Sequence, residues 1–330
     1  MRSSRISTIL IVTLLLVLCF ATGISATDYS YVQDNADNPT KFSIDKKIAD
    51  GFSTDDLYIG TTKAYLGDKA DGSTPIFKDG LAIHPADIFI TNGKVGIVLA
   101  IGTADPWGYP GGSILDAGRV NMPEGSTDWS EATFGSDTIL TCQFLFNSWD
   151  EWAPVNCGMV YCDLVKYNFD TKQLDEKDGT WAVQINRKYT VPNAGVQRDF
   201  DIISYYSIAP GADYAYMFDT VINKGNERID EAINNDISMS NKGGDGIDTK
   251  TIFDLKAANT YNWVADKNGD PKKAFSTTLI VPGDNESNDG SKHPFNRFSG
   301  ATGYREFLFE DSGFDPGESR VYQSYLMIDD

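Results

Sequence analysis

Beyond residue 26 the chain is a series of short apolar or alternating runs, each closed by Gly, Pro, Asn or Asp. No long stretch keeps a 3.6-residue apolar period, so the pattern predicts strands and turns rather than helices. Runs at 86–91 and 94–101 flank Asn92-Gly93. Both residues of such a pair tolerate positive φ, which predicts a hairpin closed by a type I′ turn. Further runs lie at 138–146, 160–169, 180–186 and 201–208, the last ending at Ala209-Pro210-Gly211. The run 214–223 leads to Lys224-Gly225-Asn226, and runs at 228–238, 274–281, 304–309 and 319–328 complete the series. Tyr214, Tyr216 and Phe218 alternate, as large side chains do on one face of a sheet.

Strands spaced in this way, without helical crossovers, predict an all-β fold: one large antiparallel β-sandwich over residues 81–330. Residues 27–80 are richer in polar and turn residues and are expected to form an extended lead-in packed on the sandwich. The stretch from Asp284 to Gly290 reads as a solvated loop. No repeat, low-complexity tract or linker calls for a second domain.

The first 26 residues have a different pattern. Arg2 and Arg5 precede an apolar run from Ile6 to Ala21, and Ile24-Ser25-Ala26 supplies a small-residue exit. That order describes a secretory signal peptide cleaved near Ala26, and it predicts a secreted, extracellular or cell-surface protein. A membrane anchor is the alternative, because the run is close to the lower limit for a spanning helix. Leu18 precedes Cys19 where a lipoprotein signal carries a small residue, which argues against lipid anchoring. Later segments are too short or too polar to span a bilayer.

Charge then narrows the partners. The chain carries 28 basic and 47 acidic residues, a formal charge of −19. Removing Arg2 and Arg5 leaves 26 basic residues against 47 acidic ones, a charge of −21. Nucleic acid and anionic membrane surfaces are therefore excluded as partners, since both need a basic face. Cys142, Cys157 and Cys162 remain after cleavage. An oxidising compartment favours one disulfide, and the odd spacing of Cys157 and Cys162 on a strand points to Cys142 pairing with one of them across adjacent strands. Buried free thiols are the alternative. A three-histidine zinc site is impossible with only His84 and His293, and the cysteine spacing matches no common zinc finger.

The stretch from Asp201 to Gly225, in which one strand ends in Pro-Gly and the next in Asn-Lys-Gly, resembles a recurring piece of galactose-mutarotase-like supersandwich domains. The closing Phe314-Asp315-Pro316-Gly317-Glu318-Ser319, followed by the alternating 320–327, is similar to their final strand. The resemblance covers about a third of the mature chain and consists of turn grammar. It implies a supersandwich fold and a carbohydrate context, since such domains occur in sugar epimerases, polysaccharide lyases and glycosidases, and as accessory modules. The family's mutarotases use two histidines and a glutamate. Here His84 and His293 each precede proline and stand in other settings, so the resemblance does not carry epimerase activity over.

Candidate chemistry gathers on two aromatic segments. Trp107 and Tyr109 lie in the Gly-rich stretch 102–112, which lacks the Gly-Lys-Ser/Thr ending of a phosphate loop. Trp149 and Trp152 lie in Asn147-Ser148-Trp149-Asp150-Glu151-Trp152. Flat rings can stack on the apolar faces of sugars while neighbouring carboxylates accept hydroxyl hydrogen bonds, so these four are the candidate ligand-binding residues. Capping the open ends of the sandwich is the other use of such rings. Should the protein be catalytic, Asp105, Asp116, Asp150 and Glu151 are the candidate acids, with Asp116 and Arg119 as the hint of a lyase pair. Glycosidase chemistry needs two carboxylates roughly 5–9.5 Å apart, a distance no sequence displays. No Gly-x-Ser-x-Gly elbow occurs. Asp266, Asn268 and Asp270 begin like a calcium loop, but Pro271 and the missing glutamate exclude an EF-hand and leave a looser calcium site as the cofactor to test. Asn285-Glu286-Ser287 is a glycosylation sequon.

Three readings follow. The leading one is a secreted carbohydrate-binding or accessory β-sandwich without catalysis of its own. The second is a structural cell-surface protein that self-associates. The third is a polysaccharide lyase or glycosidase.

Overall fold

The structure is a computed structural model. It describes residues 29–34, 41–66, 86–101, 112, 114–126, 128–129, 133–146, 156–157, 160–193, 196–228, 233–241, 249–254, 257–264, 275–282, 297–301, 304–311 and 313–329. In chain order the elements begin with strands β1 (Tyr29–Asp34) and β2 (Lys41–Asp45), helix α1 (Lys46–Asp50), and strands β3 (Phe52–Ser53) and β4 (Tyr58–Thr61). Helix α2 (Thr62–Leu66) precedes β5 (Ile88–Thr91), β6 (Val95–Leu99), β7 (Ile114–Asn121) and β8 (Thr133–Phe146). Next come β9 (Asn156–Cys157), β10 (Val160–Asn168), β11 (Gln173–Leu174), β12 (Thr180–Asn193), β13 (Val196–Ile208) and β14 (Tyr214–Asn223). The last are β15 (Ile233–Asn241), β16 (Thr249–Asp254), β17 (Ala257–Val264), β18 (Phe275–Pro282), β19 (Arg297–Ala301), β20 (Tyr304–Asp311) and β21 (Ser319–Asp329).

These strands form two sheets that pack as a sandwich. The twelve-stranded sheet runs β1-β2-β10-β12-β13-β14-β21-β18-β17-β16, with β11 beside β10 and β9 beside β12. The nine-stranded sheet runs β19-β20-β15-β8-β7-β6-β5-β4-β3. Pairing is antiparallel except where β2 lies parallel to β10. Asp45 secures that junction: its Oδ1 accepts from the Lys47 amide at 2.8 Å, capping α1, and its Oδ2 accepts from the Leu164 amide at 3.4 Å. Residues 27–80 thus contribute β1 and β2 to one sheet and β3 and β4 to the other.

Period-two alternation decides which side chains meet between the sheets. From the twelve-stranded sheet, Val183, Ile185, Phe200, Ile202, Ile208 and Met217 point inward. Ile88, Ile90, Val95, Ile97 and Leu99 meet them from the other. The intervening positions build a second apolar layer on each outer face. Phe89, Val98 and Val120 gather with Tyr58 and Tyr65 outside the nine-stranded sheet. Tyr167, Phe169, Tyr205 and Phe218 gather outside the twelve-stranded one, with Tyr216 and Tyr325 packed on them. The alternating aromatics at 214–218 do occupy one face, where Tyr216 stacks on Phe169 at 4.1 Å between ring centroids.

A buried charged group stands in the apolar interior. Arg187 is 1% exposed and lies 3.4 Å from Asp219, with Ser204 hydrogen-bonded to both. Beside it the Tyr206 hydroxyl donates to the Gly112 carbonyl at 2.6 Å, and the Gly112 amide donates to Ala100 at 2.7 Å. Gly112 has φ +95°, and a Cβ there would stand 2.9 Å from Arg187 Nη1 and 3.0 Å from the Tyr206 hydroxyl. No L side chain fits that place without strain.

Two expectations are corrected. The Asn92-Gly93 hairpin forms, but Thr91 registers with Gly96, which leaves residues 92–95 as the connection. Lys172 is the one described non-glycine residue with positive φ, so Asn92 does not take the type I′ conformation. Its Oδ1 instead accepts from the Lys94 and Val95 amides, each at 3.1 Å. Its Nδ2 donates to Ala209 and Ala212 of the opposite sheet's Pro-Gly turn, each at 2.9 Å. That tertiary demand outweighs the local preference. The second correction concerns cysteine. Cys142 sits on β8 of the nine-stranded sheet, whereas Cys157 and Cys162 sit on β9 and β10 of the other, so no two lie on adjacent strands. Cys162 is a buried free thiol, raised in pKa by burial and then by the nearby Asp163 and Asp45 charges. The side chains of Cys142 and Cys157 lie outside the described residues.

Three outcomes follow for folding. Arg187→Ala takes the buried counter-ion from the Asp219 carboxylate, and chemical denaturation should show a loss of about 3–5 kcal/mol. Asn92→Ala removes four hydrogen bonds and should lose about 1–3 kcal/mol by the same measurement. Alkaline pH should also destabilise the fold. Burial pushes the Tyr65 phenol from 10.0 up to about 12 and raises Tyr58, Tyr167, Tyr205, Tyr216 and Tyr325 as well. Because the folded state prefers the neutral phenol, this contribution is complete below pH 10 and disappears as pH rises through about 12. Tyrosinate absorbance should therefore rise late and together with unfolding.

Candidate functional site

The aromatic segments singled out by sequence fall largely beyond description. Asp105, Trp107 and Tyr109 lie in 102–111, and Trp149, Asp150, Glu151 and Trp152 lie in 147–155; both stretches are outside the described residues. So are Asp266, Asn268, Asp270, His84 and His293. Their described flanks are informative. Ile101 and Gly112 bracket the first segment, and Phe146 ends β8 ahead of the second. Since Leu99 registers with Ile114 and Ile114 with Leu140, both segments leave the nine-stranded sheet from the same end. Tyr206, beside the Arg187–Ser204–Asp219 group, holds Gly112 through its hydroxyl.

Asp116 and Arg119 take positions on opposite faces of β7. Asp116 registers opposite Val98, which belongs to the outer cluster, and Arg119 opposite Val95, which belongs to the inner core. An odd spacing along one strand separates positions between the two faces.

At the other end of the same strands the described residues form a cleft of about 640 Å³. Ser53 ends β3 and Thr54 and Asp55 follow it, Asn92, Gly93 and Lys94 connect β5 to β6, and Met122, Ser126 and Trp129 follow β7. Three connections therefore converge on one corner of the nine-stranded sheet. Trp129 is half-buried and packs on the outer cluster, with its ring 6.2 Å from that of Tyr58. Tyr58 packs in turn on Tyr65 and Phe89, at 5.5 and 6.4 Å. Burial raises the pKa of both tyrosines, which lie behind Trp129 in the outer cluster. Gly93 has φ +82°, and a Cβ there would lie 3.4 Å from both Met122 and Trp129. The glycine lets the connection turn while lying flat against the indole.

The other wall is held by the opposite sheet. Asn92 is tied to Ala209 and Ala212, and the Lys94 ammonium is ion-paired with Asp213 of the same turn. The Asp213 carbonyl also accepts from the Ile328 amide at 2.7 Å, which anchors the turn to β21. The result is an apolar floor of Trp129 and Met122 beneath a rim of hydroxyl, amide and carboxylate groups. Such a mixture suits a small polar ligand with one apolar face. Sequence reasoning did not single out Trp129. Its signal is the placement of a tryptophan straight after the polar turn Glu124-Gly125-Ser126-Thr127-Asp128.

No protein-family model matches the sequence, and neither does any curated protein. Among solved structures, the chain is similar to a protein from Klebsiella pneumoniae assigned as an aldose 1-epimerase, with 9% identity over 82% of this chain and 83% of that one and a TM-score of 0.40. It is similar to a GH36 alpha-galactosidase from Geobacillus stearothermophilus, with 10% identity over 73% of this chain and 40% of that one and a TM-score of 0.39. A galactose mutarotase related enzyme from Lactobacillus acidophilus is 10% identical over 74% of this chain and 97% of that one, with a TM-score of 0.33. What the site does is therefore argued from its own residues.

Proposed function

We propose that this protein is a secreted carbohydrate-binding or accessory β-sandwich, acting outside the cytoplasm without catalysis of its own. The observation that supports it is the cleft at Trp129. A half-buried indole and Met122 supply an apolar floor of the kind a sugar ring stacks on, and Ser53, Thr54, Asp55, Asn92 and Ser126 supply donors and acceptors for hydroxyl groups. A volume of about 640 Å³ accommodates a short saccharide. Binding is favoured over hydrolysis because, among the described lining residues, Asp55 is the one carboxylate, and glycoside hydrolysis draws on two. The signal pattern of residues 1–26 supports export. The segments carrying Trp107 and Trp149 are a second place for ligand contact within the same reading.

A glycan and polysaccharide array on residues 27–330, with and without calcium, tests this. Trp129→Ala should abolish binding and lower the thermal transition, since the indole also covers the outer cluster, while the far-ultraviolet spectrum stays in place. Loss of binding in Trp107→Ala or Trp149→Ala, with Trp129→Ala unaffected, would move the site to the other end. A blank array together with large self-associated species would replace the reading with the structural one.

A further inference from the structure

The cleft's two charged side chains are unequally placed. Lys94 and Asp55 both line it, but the Lys94 ammonium is taken up by Asp213, which lies outside the lining. Asp213 is held for that role. Its carbonyl receives the Ile328 amide, and its turn receives both Nδ2 hydrogen bonds of Asn92, two residues from Lys94. Asp55, by contrast, is exposed, and no cation is paired with it among the described residues. The chain as a whole carries a charge of −19, which adds to the negative potential over any open cleft. Among the described lining residues, a ligand entering here meets a carboxylate with no paired cation and an ammonium already paired with Asp213.

We propose that the cleft selects its saccharide by charge, taking uncharged glycans and rejecting those that bear carboxylate or sulfate, with Asp213 as the specificity-determining residue that withholds Lys94. This rests on the carbohydrate reading of the same cleft. The mechanism is competition. An acidic sugar could offset Asp55 only by drawing Lys94 from Asp213, whereas a neutral sugar leaves the pair intact and uses Trp129 and the polar rim. Because the Lys94 and Asp213 side chains are 55% and 41% exposed, the pair is a modest barrier, and the selection is a matter of several-fold rather than absolute.

The experiment is calorimetric titration of the mature chain with neutral oligomers of glucose and mannose, set against galacturonate and mannuronate oligomers of equal length. Wild type, Asp213→Asn, Asp55→Asn and Trp129→Ala are compared at low salt and at about 0.5 M salt, where surface charge is screened. The expected result is binding of a neutral oligomer by wild type and weaker binding of the uronates. Asp213→Asn and Asp55→Asn should each raise uronate affinity by about two- to five-fold, and Asp213→Asn, which lies outside the lining, should leave neutral binding unchanged. High salt should narrow the gap. Uronate binding by wild type as tight as neutral binding, or a preference that neither asparagine variant alters, would overturn the proposal and leave the carbohydrate reading standing. Absence of binding to every oligomer, with Trp129→Ala indistinguishable from wild type, would instead sink that reading and this inference with it.

Discussion

A buried charge pair in an apolar sandwich must be complete or it is ruinous, and Arg187 with Asp219 is that constraint here. Both side chains project from the twelve-stranded sheet into the space between the layers, and Ser204 bonds to each. The cost of desolvating two ions means that the pair has narrow tolerance for displacement. Neighbouring strands β12, β13 and β14 must therefore hold the register that brings 187, 204 and 219 together. Tyr206 extends the same demand to the facing sheet through the Gly112 carbonyl. The relative placement of the two layers is thus pinned by directional contacts, where hydrophobic packing alone would tolerate sliding.

Around that anchor the sandwich is built in more than two layers of side chains. β5 and β6 are buried on both faces, with Ile88, Ile90 and Ile97 inside and Phe89 and Val98 outside. The outer cluster needs its own cover, which Tyr58, Tyr65 and Trp129 provide. The cleft is a consequence of this arrangement. It opens where the cover ends, at Trp129, and where the connection 92–94 is drawn toward the opposite sheet by Asn92 and Lys94. Stability and recognition therefore share residues: the indole that seals the outer layer is also the apolar floor offered to a ligand. The two ends of the nine-stranded sheet differ in kind, since one bears the polar cleft and the other the departure points of the aromatic segments 102–111 and 147–155.

Much of the fold was legible in the chain because period-two alternation and turn residues act locally. The apolar and alternating runs mark β5, β6, β10, β14, β20 and β21 to within a few residues. Tyr214, Tyr216 and Phe218 declare a shared face by spacing alone, and the Pro-Gly turn at 209–212 closes with an Ala212 to Ala209 hydrogen bond of 3.1 Å. Strands whose pairing is sustained by neighbours rather than by their own pattern were less visible. β12 continues through Arg187, Lys188 and Pro192 because β13 accompanies it from Val183–Tyr206 to Asn193–Val196. The short polar strands β16 and β17 likewise owe their existence to the edge of the large sheet.

The sequence by itself determined the all-β class, the acidic character and the export-signal pattern, because composition, periodicity and turn chemistry are properties of neighbours along the chain. Only the tertiary structure decided which strand joins which sheet. That sent Cys142 to one layer and Cys162 to the other, and set Asp116 and Arg119 at positions on opposite faces. It also overrode the Asn92-Gly93 turn preference, because the Asn92 side chain finds two carbonyls more than a hundred residues away. The cleft belongs to the same category. Ser53, Asn92, Lys94, Met122 and Trp129 share no sequence motif, and they meet because three connections of one sheet end at a single corner.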